Sequence, residues 1–207
     1  MRNIRCLLFV AVLSTALQSV RAQVATPEAM VQKVFATLQA KDQKAFVALY
    51  PNADQFGRFI HDIMEKTFKS EEMKQMMALD EKTKNLNVDS LIDAQVTAAV
   101  SPTAFAEMQA QFGQIFQRTI EKGEKKGVKW SEAQLTGYTI DSSENKEEGT
   151  PPVNVKTIKG VIDFTSGGQP YQLAFDKMLY LPVEKGWFGA DFPQLARKGE
   201  SLAPDAK

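Results

Sequence analysis

The sequence predicts an α+β domain in which N-terminal helices pack on an antiparallel sheet of about four strands. Apolar residues recur at helical spacing from 26 to about 126, whereas residues 128 to about 192 have the character of strands. The Gly167-Gly168 pair within this second part is a strong signal for a β-hairpin. Helices that precede strands, and do not alternate with them, indicate a helical layer on an antiparallel sheet.

The first helix has a well-defined start. Thr26 suits an N-cap, Pro27 suits the first helical position, and Glu28 suits the positive end of the helix dipole. Its apolar stripe consists of Val31, Val34, Phe35 and Leu38. We expect this helix to end at Lys41-Asp42.

Further helices follow with less distinct boundaries. A short second helix ends at Pro51, and a third begins with Asn52 or Asp54 as its cap. In residues 69–100 we expect short helices, which would lie over a surface of the domain or over an opening in it. A long helix then runs from residue 101 to about 125.

The hairpin around Gly167-Gly168 fixes a register, because its two-residue turn determines which residues face each other. The expected pairs are Phe164 with Tyr171, Ile162 with Leu173 and Gly160 with Phe175 on one face, and Asp163 with Gln172, Val161 with Ala174 and Lys159 with Asp176 on the other. The first face is apolar and the second mostly polar, which supports this register.

Two more strands complete the expected sheet. One covers Trp130 to Ile140 and is followed by a polar loop from Asp141 to Pro152. The last covers Gly186 to Phe192.

The chain begins with the three-part pattern of a secretory signal peptide. Arg2 and Arg5 precede an apolar run from Cys6 to Leu17, and Val20-Arg21-Ala22 then ends in a small residue. The run is shorter than the roughly 20 residues that a membrane-spanning helix needs. We expect export to the periplasm or the medium with cleavage after Ala22; a helix that stays attached is the alternative.

Cleavage would remove residues 1–22 and leave one domain at 23–197 with a disordered tail at 198–207. It would also remove the single cysteine and three arginines, which changes the formal net charge from zero to −3. A weakly acidic chain without a basic patch is a poor partner for nucleic acid. No later stretch reaches membrane length, and we expect neither a metal nor a cofactor.

The order of these elements resembles the nuclear transport factor 2-like superfamily. The residues that carry the resemblance are the helix Val31–Leu38 with the following Lys41-Asp42-Gln43-Lys44-Ala45-Phe46, the hairpin 157–180, and the closing Gly186-Trp187-Phe188. The resemblance covers roughly residues 26–192. It implies a sheet that curls around the helices into a cone, with a pocket between them.

The resemblance implies two walls for this pocket. The concave sheet face would contribute Ile162, Phe164, Tyr171, Leu173 and Phe175, and the helices Phe35, Phe59, Ile63, Phe112 and Phe116. Members of the superfamily include isomerases, cyclases and dehydratases, which place an Asp, His or Tyr in the pocket, and many modules that are not enzymes.

Two residues are candidates for acid–base chemistry. His61 is the only histidine, and an ordinary histidine titrates near neutral pH. Asp191 lies in the last expected strand, and a carboxylate buried in a pocket could act as a general base. Neither has an evident acid or base partner in the sequence, so a surface or structural role is the alternative for each.

The sequence therefore favours an exported module that is not an enzyme and binds a small apolar ligand or a partner protein of the cell envelope. One alternative is an isomerase- or cyclase-like enzyme that uses a pocket carboxylate or His61. Another is a structural interaction domain of the envelope. The sequence does not determine whether the protein forms a homodimer.

We predict that the mature protein begins at Gln23, because the small residue Ala22 ends the signal pattern. Intact mass and N-terminal sequencing of protein expressed in a bacterium and recovered outside the cytoplasm check this. A recovered chain that still begins at Met1 would contradict it.

Overall fold

The computed structural model describes residues 24–79, 83, 85–146, 154–191 and 193–200. Its helices are α1 (Pro27–Gln39), α2 (Gln43–Val47), α3 (Ala53–Phe68), α4 (Glu71–Leu79), α5 (Val88–Ala99) and α6 (Pro102–Lys125). Its strands are β1 (Gln134–Lys146), β2 (Asn154–Ser166), β3 (Gln169–Leu181), β4 (Gly186–Gly189) and β5 (Gln194–Arg197). The expected signal peptide and residues 201–207 of the expected tail lie outside the described residues.

The architecture confirms the predicted α+β class: helices pack against a curved antiparallel sheet that is not closed. The strand order is β1-β2-β3-β4, in which β4 pairs with the C-terminal half of β3. The strand β5 pairs with the N-terminal half of β3. The described part of the chain thus has five strands where about four were expected.

The helix starts follow the capping residues in the sequence. The Thr26 hydroxyl accepts a hydrogen bond from the backbone N–H of Ala29 at 3.2 Å. At α3 the cap is Asn52, not Asp54, and the Gln55 side-chain oxygen accepts a hydrogen bond from the Asn52 backbone N–H at 3.0 Å. Such caps contribute about 1 kcal/mol each, so the sequence sets where these helices begin.

The hairpin register matches the prediction from the turn to Gly160, which lies opposite Phe175. A bulge between Ile158 and Gly160 then shifts the ladder, so the expected pair of Lys159 with Asp176 does not form in that register. An extra residue on one strand is a local backbone event that side-chain alternation does not reveal.

Three expected boundaries were wrong. Trp130 begins a short 3-10 helix that ends at Glu132, not a strand. The strand β1 continues to Lys146 through the segment expected to be a loop, because Asp141 lies opposite Lys159 on β2 and such cross-strand charge pairs stabilise a polar ladder. The last expected strand ends at Gly189.

The end of the domain is held by β5. After it, residues 198–200 form a turn in which the Lys198 N–H donates to the Pro170 carbonyl at 3.2 Å. The Glu200 N–H donates to the Arg197 carbonyl at 3.0 Å, so Lys198 and Glu200 of the expected tail are bonded to the sheet.

The core lies between α1, α6 and the concave face of the sheet. Its centre is Phe164, whose ring is 5.4 Å from that of Phe35, 5.7 Å from that of Trp130 and 5.4 Å from that of Tyr171. Full burial of a large apolar side chain contributes about 1.5–3 kcal/mol. By contrast, α3, α4 and α5 bury only Gly57 and Ile92 completely.

Gly160 is predicted to be intolerant of a side chain, because a Cβ there would overlap the Thr139 carbonyl oxygen and approach the Phe175 ring at 2.9 Å. Gly160→Ala should lower the free energy of unfolding by about 1–3 kcal/mol. Gly137→Ala is the matched control in the same sheet, since no atom lies within 4 Å of its added Cβ. Urea unfolding measures both, and equal stabilities would contradict this account of the β1–β2 contact.

Candidate functional site

A cleft of about 640 Å³ lies between α1, α2, the start of α3 and the β4 edge of the sheet. Its volume is within the range of about 300–1,000 Å³ that small-molecule sites occupy. The lining residues are Val24, Lys33, Ala36, Thr37, Ala40, Asp42, Ala45, Ala48, Leu49, Gln55, Glu184, Trp187 and Phe188.

The cleft exists because two neighbouring helices carry small side chains towards it. Ala36 lies on α1 with Ala40 at its C-cap one turn later, and Ala45 lies on α2 with Ala48 at its C-cap. Residues three or four apart share one face of a helix. Methyl groups at these positions leave space that larger side chains would fill.

The floor of the cleft is apolar and tied together by backbone hydrogen bonds. The Trp187 N–H donates to the Val24 carbonyl at 2.8 Å, so the first described residue is bound to β4. The Gly189 N–H donates to the Leu49 carbonyl at 3.0 Å, which connects the same strand to the residues after α2. The floor is therefore fixed to the sheet on both sides.

Two polar residues in the lining have structural partners. The Asp42 carboxylate accepts from the Ala45 N–H at 2.9 Å and so caps α2. The Thr37 hydroxyl donates to the Val34 carbonyl at 2.8 Å. These contacts use polar groups that would otherwise face a ligand, which leaves the interior of the cleft mainly apolar.

One end of the cleft is bounded by a charged cluster on the β3–β4 turn and α3. The Glu184 carboxylate accepts from Arg58 Nη2 at 2.5 Å and Nε at 2.9 Å, and from Gln55 Nε2 at 3.4 Å. The Glu184 side chain is 14% exposed and that of Arg58 51%. The carboxylate is thus the better shielded member of the pair.

A second cavity of about 550 Å³ lies on the other side of this cluster. It is formed by α3, the end of α5 and the β3–β4 turn, and it is lined by Ala53, Asp54, Gly57, Arg58, His61, Asp62, Glu65, Val96, Val100 and Val183. Glu184 lines the first cavity and Arg58 the second, so their ion pair lies at the boundary.

The ten residues expected in a central pocket belong mainly to the packed interior of the domain. Seven belong to the buried core: Phe35, Phe116, Ile162, Phe164, Tyr171, Leu173 and Phe175. Phe112 stacks on Tyr50 with ring centroids 3.8 Å apart, while Phe59 and Ile63 are half-buried on α3. None of the ten lines either of these two cavities, while Phe175 borders a small space of about 10 Å³ beside Tyr50 and Asp191. Ligand contact at these positions stays a prediction.

The structure separates the two candidates for acid–base chemistry. His61 is exposed on α3 and lines the second cavity, with its Nδ1 3.9 Å from Glu65 Oε2 one helical turn away. Asp191 is half-buried after β4, where its backbone carbonyl accepts a hydrogen bond from the Tyr50 hydroxyl at 3.0 Å. A catalytic role for either residue stays a prediction.

The surroundings of Tyr50, which lies beside Asp191, shift the pKa of its hydroxyl. Burial raises the pKa of its hydroxyl well above the ordinary value of 10.0, and the negative charge of Asp191 raises it further. The ring also lies directly over Gly189, where an added Cβ would come within 2.8 Å of it. The neutral hydroxyl therefore serves as a buried hydrogen-bond donor.

Comparisons with known proteins identify no relative: no family model, curated protein or solved structure matches the chain. Within the described ranges, no helix has the length and apolar character to cross a bilayer. The same residues contain no cluster of three or more His, Asp or Glu side chains able to hold a metal ion.

The sequence did not indicate the alanine-lined cleft, because large apolar and aromatic residues on the concave sheet face and the helices were the expected lining. The available signal was the pair of small-residue spacings, Ala36 with Ala40 and Ala45 with Ala48, on helices that the sequence already predicted. That signal becomes informative only once the two helices are known to face each other.

The raised pKa of Tyr50 predicts a pH dependence of stability. The folded chain retains the hydroxyl proton that an unfolded tyrosine loses above a pH of about 10. The contribution of Tyr50 is therefore fully present below that pH and is lost as the pH rises towards the folded pKa. Tyr50→Phe should weaken the alkaline fall in the free energy of unfolding, measured by urea unfolding between neutral and strongly alkaline pH.

Tyr138→Phe provides the control, because Tyr138 is 36% exposed. The account fails if both substitutions change the alkaline dependence equally.

Proposed function

We propose that the protein is an exported module, not an enzyme, that binds a small apolar ligand in the cleft between α1, α2 and β4. The observation that carries this proposal is the cleft itself: it has the volume of a ligand site, its floor is apolar, and Asp42 and Thr37 in its lining are bonded to the backbone. Such sites are mostly apolar with a few polar groups that orient the ligand.

The proposed export is compatible with the position of the cleft. The expected cleavage after Ala22 falls before Val24, which both lines the cleft and bonds to Trp187. Removal of residues 1–22 would therefore leave the lining complete. The nuclear transport factor 2-like resemblance remains part of this proposal, with the ligand at the edge of the cone and not at its centre.

A second candidate function is that of an interaction domain. Leu79 is 86% exposed and Met76 is 53% exposed on α4, and exposed apolar side chains of this kind occur at protein interfaces. Sedimentation of the purified chain would favour this function if it showed self-association that Met76→Ser and Leu79→Ser together abolish.

We predict that the neutral fluorescent probe N-phenyl-1-naphthylamine binds saturably to the protein and that Ala36→Phe weakens this binding. A phenylalanine ring would occupy part of the cleft and clash with the probe. Overpacking of this kind costs about 1–3 kcal/mol of binding free energy, which weakens the Kd by about ten-fold or more. Fluorescence titration of the probe measures the effect.

Ala110→Phe is the matched control for this experiment. It introduces the same ring at an exposed position of α6 that lines neither cavity, so probe affinity should be unchanged. If Ala36→Phe binds the probe as well as the unmodified protein does, the cleft is not the site.

A further inference from the structure

Part of the boundary between the two cavities is formed by side chains that contact each other. Glu184 extends from the β3–β4 turn, and Arg58 and Gln55 extend towards it from the first turns of α3. We call these three residues the end wall. Because side chains rotate more readily than backbone moves, a wall of this kind can be altered by one substitution without changing the fold.

The end wall is held in place by the cap of α3. The Gln55 side-chain oxygen accepts from the Asn52 N–H at 3.0 Å, while the Asn52 side chain accepts from the Gln55 N–H at 2.9 Å. This reciprocal pair orients the Gln55 amide so that its nitrogen faces Glu184. The first turn of α3 therefore positions one member of the wall, and the ion pair with Arg58 positions Glu184.

The cavity beyond the wall contains an apolar patch beside charged residues such as Asp54 and Glu65. Gly57, Val96 and Val100 form a patch where α3 and α5 are in contact, and an added Cβ at Gly57 would meet Val100 at 3.4 Å. Val183 contributes from the β3–β4 turn. A flexible apolar chain that passed the wall would stay in contact with apolar side chains.

We propose that the end wall sets the maximum length of ligand that the cleft accepts, and that the ligand is a single-chain molecule with an unbranched apolar tail. This inference rests on the proposed function, since it concerns the same cleft. Removing the wall joins the two cavities and allows longer tails to bind with further gain in affinity. The ion pair itself stabilises the fold little, because its Arg58 partner is half exposed.

The test uses primary n-alkanols, from hexanol to tetradecanol, that displace N-phenyl-1-naphthylamine from the protein. These probes are uncharged, so only tail length varies. Each methylene that enters an apolar site should tighten the Kd by about four-fold. For the unmodified protein we expect this gain to stop at one chain length, when the cleft is full.

Glu184→Ala removes the part of the wall that the turn supplies, and it leaves Arg58 in contact with solvent. The gain per methylene should then continue to longer alkanols before it stops. Glu184→Gln retains the side-chain volume and can still accept hydrogen bonds from Arg58, so its length limit should match that of the unmodified protein. Glu132→Ala is the control, because it removes the acid of the Lys129–Glu132 pair, which borders neither cavity.

The outcomes separate the inference from the proposed function. The unmodified protein could bind alkanols in the cleft while the gain in affinity for both Glu184→Ala and Arg58→Ala ends at the same alkanol length as for the unmodified protein. In that case the end wall does not limit the ligand, while the proposed function stands. If the unmodified protein binds no alkanol, both proposals are overturned. Arg58→Ala serves as the second variant, and circular dichroism verifies that each variant folds.

Discussion

The packing of Phe164 against Phe35, Trp130 and Tyr171 holds α1 on the concave face of the sheet, and the proposed ligand site depends on this packing. These rings fill the space between α1 and the concave sheet face, and the residues around them are almost fully buried. The interior is close-packed around these rings, and a small space of about 10 Å³ remains beside Tyr50, Phe175 and Asp191. Free volume arises at the edge of the sheet, where α1 and α2 present alanines in place of aromatic side chains.

At this edge of the sheet, segments from distant parts of the chain are bonded to one short strand. The strand β4 bonds to β3, to Val24 and to Leu49, so the floor of the cleft is held by three separate segments. The turn before β4 carries Glu184 to the α3 cap. One short strand therefore positions the floor of the proposed site and, through its turn, the residue that closes one end. The backbone bonds of β4 hold the floor, whereas side chains of the turn and of α3 form the end wall.

The sequence predicted the helix caps and the hairpin register well, because both depend on residues a few positions apart, such as Thr26 with Ala29 or Gly167 with its flanking strands. It did not predict the bulge that places Asp176 and Lys177 opposite Lys159, or the short strand β5. A single extra residue and a four-residue strand leave too little periodicity to detect. The candidate site was harder still. Alternation along β2 indicates that Phe164 faces inwards, but not whether the space it faces is empty or filled by Phe35. The contact of Glu184 with Arg58 spans 126 residues, and no local pattern indicates it.

The most direct test of this account is nuclear magnetic resonance of the protein with methyl-labelled alanine, recorded with and without an apolar ligand such as decanol. The account predicts that the methyl signals of Ala36, Ala40, Ala45 and Ala48 shift together with ligand concentration, whereas those of Ala133 in the core and Ala174 on β3 do not. Shifts confined to Ala133 and Ala174, or no saturable shift at the four cleft alanines, would contradict the claim that the cleft at the sheet edge is the binding site.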